Sequence, residues 1–209
     1  MISKIPKSIK KILKYIIYNL AFKKVTKVRQ NGVEFYFETR DKLGEQWNIN
    51  NEVSISEVQI FEKLKIKEIK NVYYFGAHQC AIPIKIHKIY LKHCNFFCFE
   101  AMKKNYEIAK KNIYLNECQN KFNIFNEAIS TGNGFEYFDS ISLNSFKTNK
   151  SLLSTKVKSS DLNSIIEKYG KAELFYFDIE GLEGCVLEKG INLLKTWKNN
   201  FFIEAHGIN

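Results

Sequence analysis

A β-strand, a glycine turn, a helix and a second strand that ends in an acid constrain this chain more than any other feature. Residues 72–75 are strongly β-prone and lead into Gly76, and residues 81–92 have helical periodicity. The apolar residues 96–99 follow and end in Glu100. This order predicts a βαβ unit that binds a nucleoside, because one glycine permits a close approach and the acid can accept hydrogen bonds from a ribose.

Strands and helices continue to alternate along the chain. Helical patterns cover residues 102–115, 160–169 and 185–194, and β-prone runs cover residues 122–125, 135–138, 174–177 and 201–203. This alternation predicts an α/β fold with a mostly parallel sheet and right-handed crossovers. A seven-stranded sheet would need two more strands after residue 203, so either the chain is truncated at its C-terminus or the sheet is reduced.

Several local features can be predicted as well. The strand over residues 122–125 is expected to extend toward Ile129, and the polar stretch 139–156 is expected to be the one long loop. Ser160 is expected to cap the helix that follows it. The inward side chains of the helix over residues 102–115 are predicted to be Tyr106, Ala109, Ile113 and Tyr114 or Leu115.

The N-terminal third carries its own elements. Residues 4–20 have the pattern of a basic amphipathic helix, which either lies on an anionic membrane surface or docks on the domain with its lysines in water. Asn31-Gly32 between two β-prone runs predicts a hairpin, and residues 54–67 have helical spacing. We therefore divide the chain into residues 1–24 (helix), 25–70 (hairpin and helix extension) and 71–209 (Rossmann-like domain).

The composition limits the class of protein. The net charge is +10, with 32 basic and 22 acidic residues, and most of the basic residues are Lys. Lys excess suits an anionic surface better than base-specific DNA recognition, although a compositional bias explains it equally well. The odd count of five Cys, without a C-x-x-C pair, predicts reduced, buried thiols in a cytoplasmic protein. Lys14 interrupts the most apolar N-terminal stretch, so no membrane span is predicted.

The loop after the first strand distinguishes the candidate cofactors. A dinucleotide needs a glycine-rich turn for its diphosphate, whereas only Gly76 is present here, followed by Ala-His-Gln-Cys. S-adenosylmethionine carries a nucleoside without phosphate, and one glycine can suffice for it. Ligands of such sheets bind at the carboxyl ends of the strands. Those ends are expected at residues 76–79, 100–101, 126–127, 178–180 and 204–206.

These motifs together resemble the FkbM-type S-adenosylmethionine-dependent methyltransferases, in particular a branch with Gly-Ala-His-Gln in its first loop. The resemblance covers about residues 55–209, and Asp-Ile-Glu-Gly-Leu-Glu at residues 178–183 is its most specific part. The other matching pieces are residues 75–79, 99–100 with Asn105 and 112–116, 126–130, 160–162 and 203–206. The resemblance implies a Rossmann-like class I methyltransferase fold and methyl transfer, usually to a hydroxyl of a sugar or similar small acceptor.

The resemblance also implies roles for individual residues. The first loop would face the cofactor, Glu100 and Ala101 its ribose, and Asp178 its methionine end or the acceptor. The residues assigned to the first loop are Phe75, Gly76, Ala77, His78 and Gln79, and those assigned to the adenine are Asn126, Glu127 and Ala128. A glycan or other small molecule would be the acceptor, and no nucleic-acid partner is expected, because the chain lacks an Asn/Asp-Pro-Pro-Tyr element and an Arg-rich stripe.

Methyl transfer to a hydroxyl needs a group that accepts its proton. The first choice is His206, because the ordinary pKa of His is near neutral, with Asp178 and Glu204 as the other catalytic candidates. A metal at Asp178 and Glu180 is disfavoured, since alternate strand residues point apart. Two positions depart from the family pattern: Tyr74 replaces an acid, and Cys80 replaces a small residue that is often Gly. They leave open an alternative, a degenerate, non-catalytic module that is associated with a membrane.

Overall fold

The computed structural model describes residues 9, 24–39, 61, 68–139, 147–151, 154–195 and 199–204. Its strands are β1 (Lys24–Gln30), β2 (Val33–Thr39), β3 (Asn71–Phe75), β4 (Asn95–Phe99), β5 (Phe122–Phe125), β6 (Ala128–Ile129), β7 (Gly134–Asp139), β8 (Lys147–Thr148), β9 (Ser154–Ser160), β10 (Leu174–Phe177) and β11 (Asn200–Ile203). Its helices are α1 (Ala81–Ile89), α2 (Lys103–Leu115), α3 (Leu162–Tyr169) and α4 (Glu183–Leu194).

A five-stranded sheet forms the centre of the fold, in the order β11-β10-β3-β4-β5. All four strand pairings are parallel, which confirms the predicted class. The chain order of the strands reverses between β3 and β10, so the sheet has a topological switch point there. Ligands of open parallel sheets bind outside the carboxyl ends of the strands at such a point.

Helices cover both faces of this sheet, which explains why its strands are apolar throughout. One buried cluster joins the sheet to α1 and α2, and a second joins it to α3 and α4. A strand buried on both faces has no polar side to alternate with. Strands β3 and β10, with the sequences NVYYF and LFYF, follow this rule.

Stacked aromatic rings fill the two clusters. On the α1 and α2 side, Tyr74 stacks on Tyr176 with centroids 4.0 Å apart, and Tyr176 stacks on Phe202 at 4.2 Å. On the other side, Phe75 contacts Phe99 at 5.2 Å. Each fully buried ring contributes about 1.5–3 kcal/mol of hydrophobic stabilisation. These contacts fix the strands in register up to their carboxyl ends.

A second sheet was only partly predicted from the sequence. It has four strands in the order β6-β9-β7-β8, and only β7 was expected. Strand β9 covers part of the stretch that was predicted to be a loop, and the predicted extension of β5 toward Ile129 is wrong, because residues 128–129 pair with β9 instead. The sequence of β9, STKVKSS, contains one apolar residue, so its alternation was too weak to be recognised.

Two predictions about helices need correction. The buried side chains of α2 are Asn105, Ile108, Ala109, Asn112 and Ile113, whereas Tyr114 is 62% exposed. Asparagine is polar, so the sequence did not predict it on a buried face. Its partners there are backbone groups of other elements, which come close only in the folded chain. The cap of α3 is Asp161, whose carboxylate accepts from the Ser164 amide at 2.8 Å, and Ser160 instead ends β9.

The predicted hairpin is confirmed. Asn31 and Gly32 both have positive φ, 49° and 75°, as a tight two-residue hairpin turn requires. The side chains of Val28, Phe35 and Phe37 are buried in the same cluster as α1 and α2. The hairpin therefore packs on the outside of these two helices rather than standing apart from the domain.

The thiols follow the prediction with one exception. Cys80, Cys94, Cys98 and Cys118 are free and buried, whereas Cys185 is free and exposed. Burial raises the pKa of Cys94 and of Cys118 to about 11, which keeps both neutral. Within the described ranges, no three His, Cys, Asp or Glu side chains come close enough to hold a metal ion.

Parts of the N-terminal predictions lie outside the described residues. Of the helix expected over residues 4–20 only Ile9 is described, and of the helix over residues 54–67 only Phe61, which is buried. The described residues include no helix that is long and apolar enough to span a membrane. The membrane contact of residues 4–20 stays a prediction.

Buried His87 should make the stability of the protein depend on pH. Burial lowers the pKa of this imidazole below 6.5, and the positive charges of Lys121, Lys88 and Lys92 lower it further. The hydrogen bond to the Leu91 carbonyl raises the pKa but does not offset these effects. The unfolded chain then binds the proton more tightly than the folded one. The contribution of His87 to the free energy of unfolding is therefore fully present above pH 6.5. It falls as the pH drops below that value, by at most about 1.4 kcal/mol per pH unit.

Urea unfolding between pH 5 and 7.5 measures this effect. We expect His87→Phe to flatten the dependence while keeping a ring between Phe96 and Phe122, which His87 contacts edge-on. The matched control is His93→Phe, since His93 is exposed. Equal slopes in the wild type and in His87→Phe would contradict the assignment.

Candidate functional site

Five of the predicted site residues lie in one row along the carboxyl edge of the central sheet. Phe125, Phe99, Phe75, Phe177 and Ile203 are paired across neighbouring strands. The residue after each of them therefore falls at the same height. From one side of the sheet to the other, this row is Asn126, Glu100, Gly76, Asp178 and Glu204.

Backbone hydrogen bonds continue the sheet into this row. The amides of Gly76 and Ala77 both donate to the Phe99 carbonyl at 3.0 Å. The Asp178 amide donates to the Phe75 carbonyl at 3.0 Å. The amides of Glu100 and Glu204 likewise donate to the carbonyls that end the neighbouring strands, at 3.0 Å and 2.9 Å. The backbones that carry the three acids are therefore fixed by the sheet.

Gly76 sits between Glu100 and Asp178 and is required by the protein itself. Its φ is +83°, which favours glycine, and a Cβ at this position would lie 1.7 Å from the Asp178 carbonyl oxygen. The close approach predicted for this glycine is thus made to the end of β10. It brings the segment that carries Asp178 directly against the loop of residues 76–80, here called the Gly76 loop.

Glu100 holds the Gly76 loop from the opposite side. Its carboxylate is buried and accepts from the His78 amide at 2.8 Å and from the Met102 amide at 2.7 Å. The Asn105 side chain lies within 3.5 Å of the same carboxylate. Bonds from backbone amides to a carboxylate are charge-assisted and strong. Glu100 is therefore fixed in one orientation next to the loop.

The residues assigned to the adenine connect the sheet to the second sheet. The side-chain amide of Asn126 donates to the carbonyls of Glu100 and Ala101 at 3.0 Å and 2.8 Å. The Glu127 carboxylate accepts from Lys158 at 3.1 Å and from the Ser160 hydroxyl. Glu127 is thus engaged within the protein, and Ala101 and Ala128 pack with Met102 in a small buried cluster.

The turn after β10 is stabilised by its own acid. The Glu183 carboxylate accepts from the Ile179 amide at 2.9 Å and from the Gly181 amide at 3.0 Å. Glu180 has a positive φ of 56°, followed by Gly181 at 98°. Glu183 therefore acts as a helix N-terminal acid for α4. His206, the first choice for a base, lies outside the described residues.

Negative charge predominates at this edge. The segments that follow the strands, residues 76–80, 100–102, 126–128, 178–180 and 204, contain five acids and neither Lys nor Arg. Within them, Glu127 is neutralised by the ion pair with Lys158. The acids are Glu100, Glu127, Asp178, Glu180 and Glu204. Such a row favours a ligand with positive charge and disfavours a phosphate.

The comparison with sequence families agrees with this geometry. The family model of the methyltransferase FkbM domain matches residues 75–209. The chain belongs to the FkbM methyltransferase family. The match begins at Phe75, directly before the Gly76 loop, and includes the whole row of the carboxyl edge. No curated protein matches the chain in sequence.

Three solved methyltransferases are similar to this FkbM chain in structure, at low sequence identity. The FkbM methyltransferase of Methylobacillus flagellatus KT has a TM-score of 0.50 at 12% identity, over 68% of this chain and 36% of its own. A putative O-methyltransferase from Klebsiella pneumoniae scores 0.40 at 10% identity, over 76% of this chain and 59% of its own. The tRNA (uracil-54, C5)-methyltransferase of Pyrococcus abyssi, solved with S-adenosyl-L-homocysteine, has a TM-score of 0.45 at 12% identity, over 80% of this chain and 31% of its own.

The FkbM chain spans between 31% and 59% of the lengths of these three proteins. The similarity to the first of them confirms the class I methyltransferase fold. The family model itself describes a methyltransferase domain.

The two departures from the family pattern are both buried. Tyr74 is 1% exposed and belongs to the aromatic stack with Tyr176. Cys80 has a φ of 58°, a backbone conformation that favours glycine. Burial, and then the hydrogen bond to Cys98 and the proximity of Glu100, raise the pKa of the Cys80 thiol well above its usual value. Cys80 therefore stays a neutral thiol at the end of the Gly76 loop.

Residues that the sequence did not assign also shape this site. The Met102 amide holds Glu100, and the Asn112 side chain donates to the Gln79 carbonyl at 2.9 Å. Backbone amides leave no mark in a sequence. The available signal was a spacing that places three asparagines on one side of α2 and its C-cap, namely Asn105, Asn112 and Asn116. An exposed helix face has no need of asparagine at all three positions.

Proposed function

We propose that this chain uses S-adenosylmethionine to methylate a hydroxyl of a sugar or another small acceptor. The observation that carries the proposal is the row of Glu100, Gly76 and Asp178. Glu100 stands on one side of the glycine and Asp178 on the other, across neighbouring parallel strands about 4.8 Å apart. A nucleoside with a charged tail can lie along such a row, with its ribose at one acid and its tail at the other.

The negative charge of the row matches the positive charge of this cofactor. S-adenosylmethionine has a sulfonium and an ammonium group and lacks phosphate, so the acids of the carboxyl edge attract it. A dinucleotide would bring its diphosphate against Glu100 and Asp178, where no basic side chain follows a strand. Glu100 would hold the ribose, with Asn126 and Ala128 toward the base. Asp178 would hold the methionine end.

The chemistry of the step divides between the cofactor and the chain. The cofactor supplies an activated methyl group on its sulfonium. The chain binds and orients the acceptor hydroxyl and takes its proton. Asp178 and Glu204 occur side by side on neighbouring strands and are the described candidates for contact with the acceptor. His206, two positions after Glu204, is the proposed base.

The acceptor class and the location rest on the family resemblance and on the N-terminal pattern. A glycan near a membrane would suit a basic amphipathic helix over residues 4–20, which would bind an anionic surface. We place the protein in the cytoplasm, in peripheral contact with the inner face of the membrane. A small soluble acceptor would fit the same row of acids.

Calorimetric titration of the full chain with S-adenosyl-L-homocysteine tests the proposal. We expect saturable binding to one site, and no binding of NAD under the same conditions. Absence of binding heat with S-adenosyl-L-homocysteine at high protein concentration would overturn the proposal. It would favour the alternative of a non-catalytic module, in which the burial of Tyr74 and Cys80 accompanies loss of the cofactor.

A further inference from the structure

The hairpin of β1 and β2 is attached to α2 by two buried asparagines, here called the asparagine clamp. Asn116 accepts from the Tyr36 amide at 3.1 Å and donates to the Tyr36 carbonyl at 2.7 Å. Asn112 accepts from the Glu38 amide at 2.7 Å. Both asparagines are almost fully buried, at 0% and 4% exposure. They satisfy backbone groups on the outer edge of β2.

The geometry of the clamp follows from two regular repeats. Four residues of an α-helix rise about 6 Å, and two residues of a strand advance about 6.6 Å. Asn112 lies on α2 and Asn116 caps its C-terminus four positions later, whereas Tyr36 and Glu38 are two apart on β2. The helix face therefore presents its amides at the spacing of alternate strand residues, as a neighbouring strand would.

Asn112 has a second contact that reaches the site. Its oxygen is used by the Glu38 amide, and its nitrogen donates to the Gln79 carbonyl at 2.9 Å. Gln79 belongs to the Gly76 loop, in which Gly76, His78 and Cys80 all have positive φ. A loop with two non-glycine residues in this conformation needs external contacts to hold it. One side chain thus joins the hairpin to this loop.

Further contacts attach the hairpin to α1, the helix that begins after the Gly76 loop. The Lys88 ammonium donates to the Glu34 carbonyl at 3.0 Å and lies 5.4 Å from the centroid of the Phe35 ring. The Lys85 side chain is fully buried, with its ammonium 5.8 Å from the centroid of the Phe37 ring. The hairpin is therefore connected to both helices that flank the loop.

We infer that Asn112 is a positioning residue, whose side chain holds the Gly76 loop in the conformation that binds the cofactor. The hairpin strand that Asn112 also binds precedes residues 75–209, the part that the family model matches. The link to cofactor binding rests on the proposed function. The link between Asn112 and the conformation of the Gly76 loop can be tested without any ligand.

Hydrogen exchange of the ligand-free full chain provides that test. Asn112→Asp keeps the acceptor for Glu38 but cannot donate to the Gln79 carbonyl. We expect amides of the peptide over residues 75–82 to exchange about tenfold faster in this variant. Asn116→Asp is the matched control, because it adds the same charge to the same buried face and loses donations to the Tyr36 and Asn112 carbonyls, neither of which belongs to the Gly76 loop. Its loop peptide should exchange within twofold of the wild type.

Two results would overturn the inference: unchanged protection of the loop in Asn112→Asp, or equal acceleration in Asn116→Asp. If Asn112→Asp does not fold, the pair Asn112→Ala and Asn116→Ala gives the same comparison without added charge. A titration with S-adenosyl-L-homocysteine then separates the two claims. Binding by the wild type tests the function, and a dissociation constant about tenfold higher in the Asn112 variant than in the Asn116 variant tests the positioning.

Discussion

Replacing Glu100 with Gln should abolish most of the affinity for S-adenosyl-L-homocysteine. The carboxylate can accept from two ribose hydroxyls, whereas an amide has one acceptor and presents N–H groups to the other hydroxyl. Loss of charge-assisted hydrogen bonds at a buried site corresponds to roughly a hundredfold weaker binding, about 2.7 kcal/mol. Calorimetric titration of the folded variant measures this loss directly.

Glu100→Gln also disturbs the protein, so a control is needed. Glu173 provides it, because its carboxylate accepts from the Lys70 and Asn71 amides at 3.0 Å and 2.8 Å at the amino end of β3. Glu173→Gln removes a carboxylate that holds two backbone amides, on the opposite edge of the sheet. We expect its affinity to stay within twofold of the wild type. A folded Glu100→Gln variant that binds as well as the wild type would remove Glu100 from the ribose site.

The central sheet could be predicted from the sequence because its strands are buried on both faces. Continuous apolar runs at 72–75, 96–99 and 174–177 are unusual outside such a sheet. Each run stops at a polar residue or glycine, which gave the positions of the carboxyl edge. Glu100, Gly76 and Asp178 came together as expected for this reason.

The second sheet and the clamp could not be predicted in the same way. Strand β9 has exposed Lys156 and Lys158 around the buried Val157, so its alternation looks like a polar loop. Asn112 and Asn116 are polar residues on a buried face, and their value depends on the backbone of β2, more than seventy positions earlier in the chain. A pattern within one helix carries no information about which distant backbone groups need partners.

The reason for Gly76 was also only partly predicted. The sequence suggested a close approach of the chain to a ligand, and the structure shows a close approach to Asp178. The two acids that flank the glycine are thus held on either side of it by the protein before any ligand binds. Pre-organisation of this kind reduces the ordering that a cofactor must impose when it binds.

Gly76→Ala should therefore destabilise the folded protein more than other glycine substitutions. The added Cβ would lie 1.7 Å from the Asp178 carbonyl oxygen and 2.7 Å from its carbonyl carbon. Overpacking costs roughly 1–3 kcal/mol and left-handed strain roughly 1–2 kcal/mol, so the expected loss in unfolding free energy is roughly 2–5 kcal/mol. Urea unfolding measures it.

The hairpin glycine separates the two contributions. Gly32 has a φ of +75°, close to that of Gly76, but a Cβ there has nothing within 4 Å. Gly32→Ala carries the strain without the clash, so it should lose only about 1–2 kcal/mol. An equal loss in the two variants would mean that β10 can move away from Gly76 without cost. The row of Glu100, Gly76 and Asp178 would then be a flexible arrangement, and Asp178 could not be held against the cofactor loop before binding.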